Sequence, residues 1–420
     1  MTRKKLLALS GSICLVLVLA VLPFMGACAP AEEEVLTVKI GYNAPLSGPA
    51  AAWGLPGLEG AGIWLDKVNG AGGIEAGGKK YQVEIVKYDN EGDGSKALLG
   101  ARKLVLEDGV VAMLMLGGAE SAVVGPFLTE HKIMTFVLIA SDISTERPYL
   151  LDVTDNFPTY HLVHIDYIAE AHPEMKKAAI LSQEEPIGIA AIAWSEAAFE
   201  AEGIEVVYSK PFSCETTDFA PLLTAVLATD PDIISMGASW PEFQALICEQ
   251  AYLQGWHGII TSACWDFGAI LAKVPKEFME GAVSGFPDFD DPQLSPEHLE
   301  FWNEWRARYP THTFSEIVWE YMGALEVWAY GVGLADSIES EAVYNALKAA
   351  DTVPHSFGPG KWWGKEIWGM DNLLMPTWPI TEIQNGKPAI VAWKNVADWL
   401  AEGNNQEILY QTLRTWGMME

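Results

Sequence analysis

Short apolar runs alternate with amphipathic segments along most of this chain, and that rhythm restricts its fold more than any other feature. Leu36–Asn43 reads as a strand. Leu55–Asn69 follows as a helix, with Leu55, Leu58, Ala61, Leu65 and Val68 at three- and four-residue spacing. The strand Tyr81–Asp89 and the helix Gly94–Glu107 come next. Val110–Leu116 is a continuous apolar run, as a parallel strand buried on both faces requires. Glu120–His131 and Met134–Val137 repeat the pair. Such a succession predicts a doubly wound parallel sheet with helices on both faces.

The stretch "RPYLLDVTDNFPTYH", Arg147 to His161, breaks the rhythm, and a second series then begins. Its strands are Ala178–Ser182, Glu205–Tyr208, Ile233–Gly237, Gly258–Thr261 and Gly281–Phe286. Its helices lie near Tyr160–His172, Ile187–Glu202, Phe219–Ala228 and Trp240–Gln254. After "FPDFDDPQLSP" come helices at Glu297–Tyr309, Glu316–Leu334 and Ser340–Ala350. A Gly- and Trp-rich stretch, "FGPGKWWGKEIWG", precedes a hairpin turning at Asn385-Gly386. With 420 residues, the expectation is two α/β lobes, each a doubly wound parallel sheet, joined by a multi-strand hinge. Breakpoints near 150, 288 and 353 assign 36–157 with 288–352 to lobe one, 158–287 with 353–400 to lobe two, and 401–420 to a C-terminal tail.

The amino terminus reads differently. "MTRKK" is followed by an apolar run from Leu6 to Leu22 and then by "FMGACAP". This is the pattern of a secretory signal over 1–27 with Cys28 as the acylated first residue, residues 28–35 forming an acidic tether. A retained membrane anchor, or cleavage without acylation, is the other reading. The net charge of −30 repels phosphate backbones, so nucleic acid is excluded as a partner. Cys214, Cys248 and Cys264 remain beyond the tether, an odd number that allows at most one disulfide. His161 and His164 lie a helical turn apart, but without a third ligand they read as surface residues and no metal is expected. No G-x-S-x-G, H-E-x-x-H or G-x-x-x-x-G-K-[ST] occurs. "NGAGGI" leaves a helix and enters a strand, the reverse of a dinucleotide loop. An enzyme is the weakest reading, and no cofactor is expected.

Several spaced motifs then converge. "IGYNAPLSGPAAAWG", "VNGAGGI", "YQVEIVKYDNEGDGSKAL", "EDGVVAMLML", "GASWPEFQALICEQA" before "QGW", "EGAVSGFP" and "NGKPAIV" occur in that order. Together they resemble the extracytoplasmic solute-binding proteins of the branched-chain amino acid type, on the type I periplasmic-binding fold. The resemblance covers Leu36 to about Trp393. It implies a monomer, lipid-anchored to the membrane or periplasmic, whose lobes close on a small solute and deliver it to an ABC permease with its ATPase subunits. A ligand-binding sensor on the same fold is the alternative.

Ligands of open α/β sheets bind beyond the carboxyl ends of strands, so the loops there supply the candidates. Ser47 and Trp53 stand on the rim of the first loop. Where the resemblance implies Ser and Thr contacts, this chain has Gly117, Gly118 and Ala140, with Ser121 and Ser141 nearby. Glu120 reads equally as a helix cap or a ligand contact. On lobe two, the family's tyrosines fall near Ile187 and Ser239. Its acidic ammonium partner falls near Ala263 or Cys264, with Asp266 the nearest substitute. Trp240 and Trp265 are pocket lining or packing. Given these departures, the expected solute is an amino acid, an amide or a small carboxylate, and a planar or apolar carboxylate or amide, an aromatic one included, fits at least as well as a plain branched-chain amino acid. "KWWGKEIWG" reads as packing rather than as a carbohydrate platform.

Overall fold

The computed structural model describes residues 36–138, 143–287, 290–312 and 315–419. The signal segment, Cys28 and the acidic tether lie outside them, as do Ala140 and Ser141.

The first series forms a six-stranded sheet in the order β2-β3-β1-β4-β5-β6. The strands are β1 (Leu36–Ala44), β2 (Ile74–Ala76), β3 (Lys79–Asp89), β4 (Ala112–Met115), β5 (Met134–Val137) and β6 (Leu150–Leu151). Helices α1 (Leu55–Gly70), α2 (Gly94–Lys103) and α3 (Ala119–His131) link them. Pairing of β1 with β4, β4 with β5 and β5 with β6 is parallel. The central strands β4 and β5 are buried along their whole length because both faces of the sheet are covered there. Ile40, Tyr42, Leu114 and Phe136 belong to one core, while Met113, Met115 and Val137 belong to another on the opposite side.

The second series begins with α4 (Phe157–His161) and α5 (Val163–Ala171). The sequence suggested one helix here, but the chain divides it at Leu162. Asn156 caps α4 through a reciprocal bond pair with Thr159. There follow β7 (Lys177–Gln183), α6 (Pro186–Ala201), β8 (Glu205–Phe212), α7 (Ala220–Leu227) and β9 (Ile233–Ser235). Next come α8 (Pro241–Leu253), β10 (Ile259–Ser262), the short α9 (Phe267–Leu271) and β11 (Val283–Ser284). After α10 (Pro296–Arg308), α11 (Ile317–Ala335) and α12 (Ser340–Ala349), a small hairpin pairs β12 (Lys361–Trp363) with β13 (Leu373–Met375) around α13 (Lys365–Trp368). The chain then enters β14 (Thr377–Gln384) and β15 (Lys387–Asn395), which close the seven-stranded order β15-β14-β11-β10-β9-β7-β8. Its β7 to β11 portion is parallel, and β14 and β15 are antiparallel. The turn at Asn385-Gly386 has both residues left-handed, as a two-residue hairpin requires.

Helices α10 to α12 return to the first sheet. Helix α1 packs so closely on α11 that a Cβ at Gly60 would lie 1.8 Å from the Val318 carbonyl oxygen. Only glycine admits that approach, and Trp64 and Trp328 meet edge to face beside it at 6.4 Å.

Three stretches carry the chain between sheets. Asp152 to Asn156 leads out of β6, and the segment after Phe286 leads from β11 back to α10. The third crossing comes at Pro376, between β13 and β14. Up to that point the chain stays with the first sheet. Leu373 bridges Asp152, and Trp363, Trp368, Leu373 and Met375 pack into the first sheet's core. The expected breakpoint at 353 instead marks a local bridge from Val353 to Gly360. Trp368 also stacks on Trp194 of α6 at 6.2 Å, so the tryptophan-rich stretch packs across the crossings.

The carboxyl terminus is no loose tail. It forms α14 (Val396–Ala401) and α15 (Asn405–Thr415). Trp399 donates to Glu202 and Trp416 to Glu196, fixing both helices to α6. His161 and His164 are buried, contrary to the surface reading. His161 meets Ser195 Oγ at 3.2 Å, and burial holds both imidazoles below their usual range, His164 at about 4. Among the described residues no helix is long and apolar enough to cross a membrane. Cys214, Cys248 and Cys264 are all free thiols.

Candidate functional site

Each sheet has one place where the strand order reverses. In the first, the chain leaves β1 towards β3 on one side and returns to β4 on the other. In the second, β7 is flanked by β8 and β9. The crevices beyond these strand ends are where ligands of open α/β sheets bind. They face each other: a Cβ on Gly118, after β4, would lie 3.7 Å from Ile187 Cδ1 at the start of α6.

The first crevice is built on buried polar side chains. Asn43, at the end of β1, donates to the Ala97 carbonyl at 2.7 Å. Asn90 donates to Glu120 Oε2 at 2.7 Å and accepts from Gly92 N–H. Glu120 is therefore turned inward to Asn90 and does not cap α3. Burial pushes its carboxyl up to about 7 although the Asn90 bond opposes the shift. Above it, Gly117 and Gly118 have φ of 108° and 61°, and a Cβ at Gly117 would lie 2.4 Å from the Leu138 carbonyl oxygen. The Gly118 cap supplies no side-chain acceptor, so the first N–H groups of α3 point out of a bare backbone turn. Ser121 is buried and donates back to the Gly118 carbonyl at 3.0 Å. Ser47 is exposed and hydrogen-bonds Asp89, which holds that carboxyl below its ordinary value. Trp53 ends the turn Pro49–Trp53, half-buried against the main core.

The second crevice differs. Glu185 caps α6, accepting from Ile187 N–H at 3.0 Å and Gly188 N–H at 2.5 Å. Of Ile187, only the side chain faces outward. Ser239 is buried against the Leu181 carbonyl. Gln244 ties the loops together by donating to the carbonyls of Ser239 and Cys264 at 2.7 and 2.8 Å. Asp266 caps α9, accepting from Ala269 N–H at 2.8 Å, so it is committed to a helix end. Trp265 leans on Phe267, and Trp240 stacks on Phe243 at 5.4 Å over the second sheet's own aromatic core.

Between the crevices, at the crossings, stands a group that sequence reasoning missed. Asp155 and Glu320 are fully buried. Tyr160 donates to Glu320 Oε1 at 3.2 Å and Thr154 to Asp155 Oδ1 at 3.0 Å. Glu316 accepts from the Cys264 thiol one helical turn before Glu320. Burial pushes Glu316 up to about 7, and burial with the neighbouring carboxyls raises Glu320 well above the carboxylate range. Tyr160 meets Phe286 and Trp378 at ring spacings of 6.2 and 5.8 Å, and Trp319 packs on both of those rings. Glu320, four residues after the N-cap Glu316 and inside a helix whose other charged residue is Glu326, was the available signal.

A profile of the periplasmic binding protein family matches residues 37–387. The chain belongs to that family. It is 26% identical over 346 residues to a Leu/Ile/Val-binding protein of Rhizobium johnstonii, covering 79% of this chain and 88% of the relative. A leucine-, isoleucine-, valine-, threonine- and alanine-binding protein of Pseudomonas aeruginosa is 24% identical, covering 74% and 82%. An ABC transporter substrate-binding protein from Sphaerobacter thermophilus superposes with a TM-score of 0.71 at 22% identity, over 86% of this chain and 98% of that one. The isoleucine complex of a Streptococcus pneumoniae branched-chain amino acid substrate-binding protein gives 0.67 at 20%, over 86% and 99%. The fold is thus the type I periplasmic-binding fold. This periplasmic binding protein captures a solute without turning it over, and its place is outside the cytoplasm.

Proposed function

We propose that this protein is an extracytoplasmic solute-binding lipoprotein that holds a small organic solute between its two sheets and delivers it to an ABC permease. The solute is an amino acid, an amide or a small carboxylate. One observation carries the reading: the two reversal points of strand order oppose each other across Gly118 and Ile187. The uncapped start of α3 suits the carboxylate of such a solute, since free N–H groups at a helix start bind anions. Trp53 and Ser47 form the outer rim, and Cys28 carries the lipid anchor.

A thermal-shift screen over amino acids, amides, short fatty acids and aromatic acids tests the reading. A ligand at a hundred times its dissociation constant adds about 2.7 kcal/mol of stability. Trp53→Ala is expected to weaken the hit about tenfold, or roughly 1.4 kcal/mol. Unchanged affinity removes Trp53 from the site, and no shift with any class removes the proposal. Cys28→Ser is expected to release the protein from membranes.

A further inference from the structure

Asp155 and Glu320 are both fully buried, and their carboxyls are hydrogen-bonded to each other. A carboxylate only accepts, so that bond exists only while a proton lies in it. Thr154 supplies Asp155 Oδ1 and Tyr160 supplies Glu320 Oε1. Among the described residues no other donor reaches Asp155 Oδ2 or Glu320 Oε2, which are the oxygens left to share the proton.

Nothing nearby takes that proton's place. The groups acting most on Asp155, Glu316 and Glu320 are one another, Thr154, Tyr160, Cys264 and Asp266, none of them a cation. Tyr42 on β1 and Tyr321 on α11 also feel the Glu320 charge, and burial holds their phenols and that of Tyr160 well above the usual range. Burial does the same to the Cys264 thiol. His355, whose Nε2 lies 3.2 Å from the Thr154 carbonyl, and His298, stacked on Trp319, are held neutral by burial, at about 3 and about 4. Burial raises the three carboxyls themselves, Glu316 to about 7 and Glu320 well above its ordinary value.

These bonds tie one sheet to the other. Asp155 lies on the crossing that leaves β6, while Glu316 and Glu320 lie at and just inside the start of α11, on the first sheet's side. Tyr160 on α4 and Cys264 after β10 belong to the second series. The bonds from Tyr160 to Glu320 and from Cys264 to Glu316 therefore span the division, with Asp155 beside them. Removing the shared proton sets two carboxylates face to face in a low-dielectric place, where like charges repel strongly. Parting the sheets relieves the repulsion by admitting water to both.

We infer that the crossings hold a proton-operated latch: the proton shared by Asp155 and Glu320, backed by the bonds from Tyr160 and Cys264, keeps the two sheets together, and its loss lets them part. Such a latch joins the sheets whichever solute they capture, so its failure leaves solute capture standing. A carboxyl raised in the joined state binds a proton that the parted state releases. Joining is therefore complete in acid and is lost as pH rises through about 7 and beyond.

Small-angle scattering of the protein without its signal segment, and without added solute, tests this from pH 5 to pH 9. The radius of gyration is expected to hold steady in acid and to rise above about pH 7. Over the same range, alkylation of Cys264 relative to Cys214, which lies outside the crossings, is expected to rise tenfold or more. Glu320→Gln and Asp155→Asn each replace the shared proton with an amide N–H that pH does not remove, so both variants are expected to stay compact at pH 9. Glu120→Gln, which removes another carboxyl raised to about 7, is expected to open as the parent does. A parent of constant dimensions from pH 5 to pH 9 overturns the latch. So does opening of either amide variant that folds, or loss of opening in Glu120→Gln. Thermal melts at pH 5 establish which variants fold. If neither amide variant does, the Cys264 ratio in the parent decides, and a constant ratio overturns the latch.

Discussion

The two crevices sit at equivalent places in their sheets yet solve the helix start after the strand in opposite ways. In the first, Gly118 leaves the N–H groups of α3 without a side-chain acceptor. In the second, Glu185 occupies those of α6. The first therefore offers a positive backbone end, while the second offers side chains and has its own dipole neutralised. Under the proposed function, an anionic group of the solute is expected against the first sheet. Each difference below is a way to break that asymmetry or to sharpen it.

The largest effect is expected at the paired glycines. At Gly117, φ is 108° and a Cβ would meet the Leu138 carbonyl oxygen at 2.4 Å. At Gly237, φ is 53° and the nearest atoms are the Cβ groups of Ser182 and Ala191, at 3.3 and 3.4 Å. Gly117→Ala should cost about 3 kcal/mol or more in urea unfolding, whereas Gly237→Ala should cost about 1 kcal/mol. Equal costs would mean that the first crevice is not the rigid one.

A pH effect comes next. The Glu120 carboxyl, raised from 4.5 to about 7, binds a proton in the folded chain that the unfolded chain has already lost. Its contribution is fully present below about pH 4.5 and disappears as pH rises to about 7, a decline on the order of 3 kcal/mol. Glu120→Gln keeps the bond from Asn90 and should flatten that part of the profile. A variant that parallels the parent from pH 4 to 8 would place the titration elsewhere.

Much of the asymmetry could not be read from residue order, for physical reasons. The central strand β4 was legible because a strand buried on both faces must be apolar throughout. The loops at the strand carboxyl ends were legible too, but the reversal points depend on the sheet order, which residue order alone does not state. Glu185 was not legible as a cap, because "QEEP" reads as a charged loop until Pro186 is seen to start a helix. Asp155 and Glu320 were missed for a different reason. They are brought together from positions far apart by the crossings, which periodicity does not describe. Glu120 was left open between cap and contact, and it is neither a cap nor exposed, since Asn90 draws it inward.

Glu185 itself gives a smaller effect. Glu185→Ala removes the cap, at a cost of about 1 kcal/mol. It also frees the N–H groups of Ile187 and Gly188, making the second crevice resemble the first. Sulfate should then stabilise the variant more than the parent in thermal melts. If sulfate acts equally on both, the capped helix start was never the reason that anions avoid the second sheet.

The smallest effect on capture is expected at Trp240. Its position at the start of α8 placed it among the candidate lining residues, and at 37% exposure it has the look of a waiting platform. The ring, however, lies at 12° to Phe243, which itself contacts Phe212 and Phe219. Phe212, Phe219 and Phe243 belong to the second sheet's core, so Trp240 completes an aromatic core at its edge. Trp240→Ala should cost about 1 kcal/mol of stability, the value of one stacked pair. Solute affinity should stay within twofold of the parent. A tenfold loss of affinity with little loss of stability would return Trp240 to the cleft and give the second sheet an aromatic contact of its own.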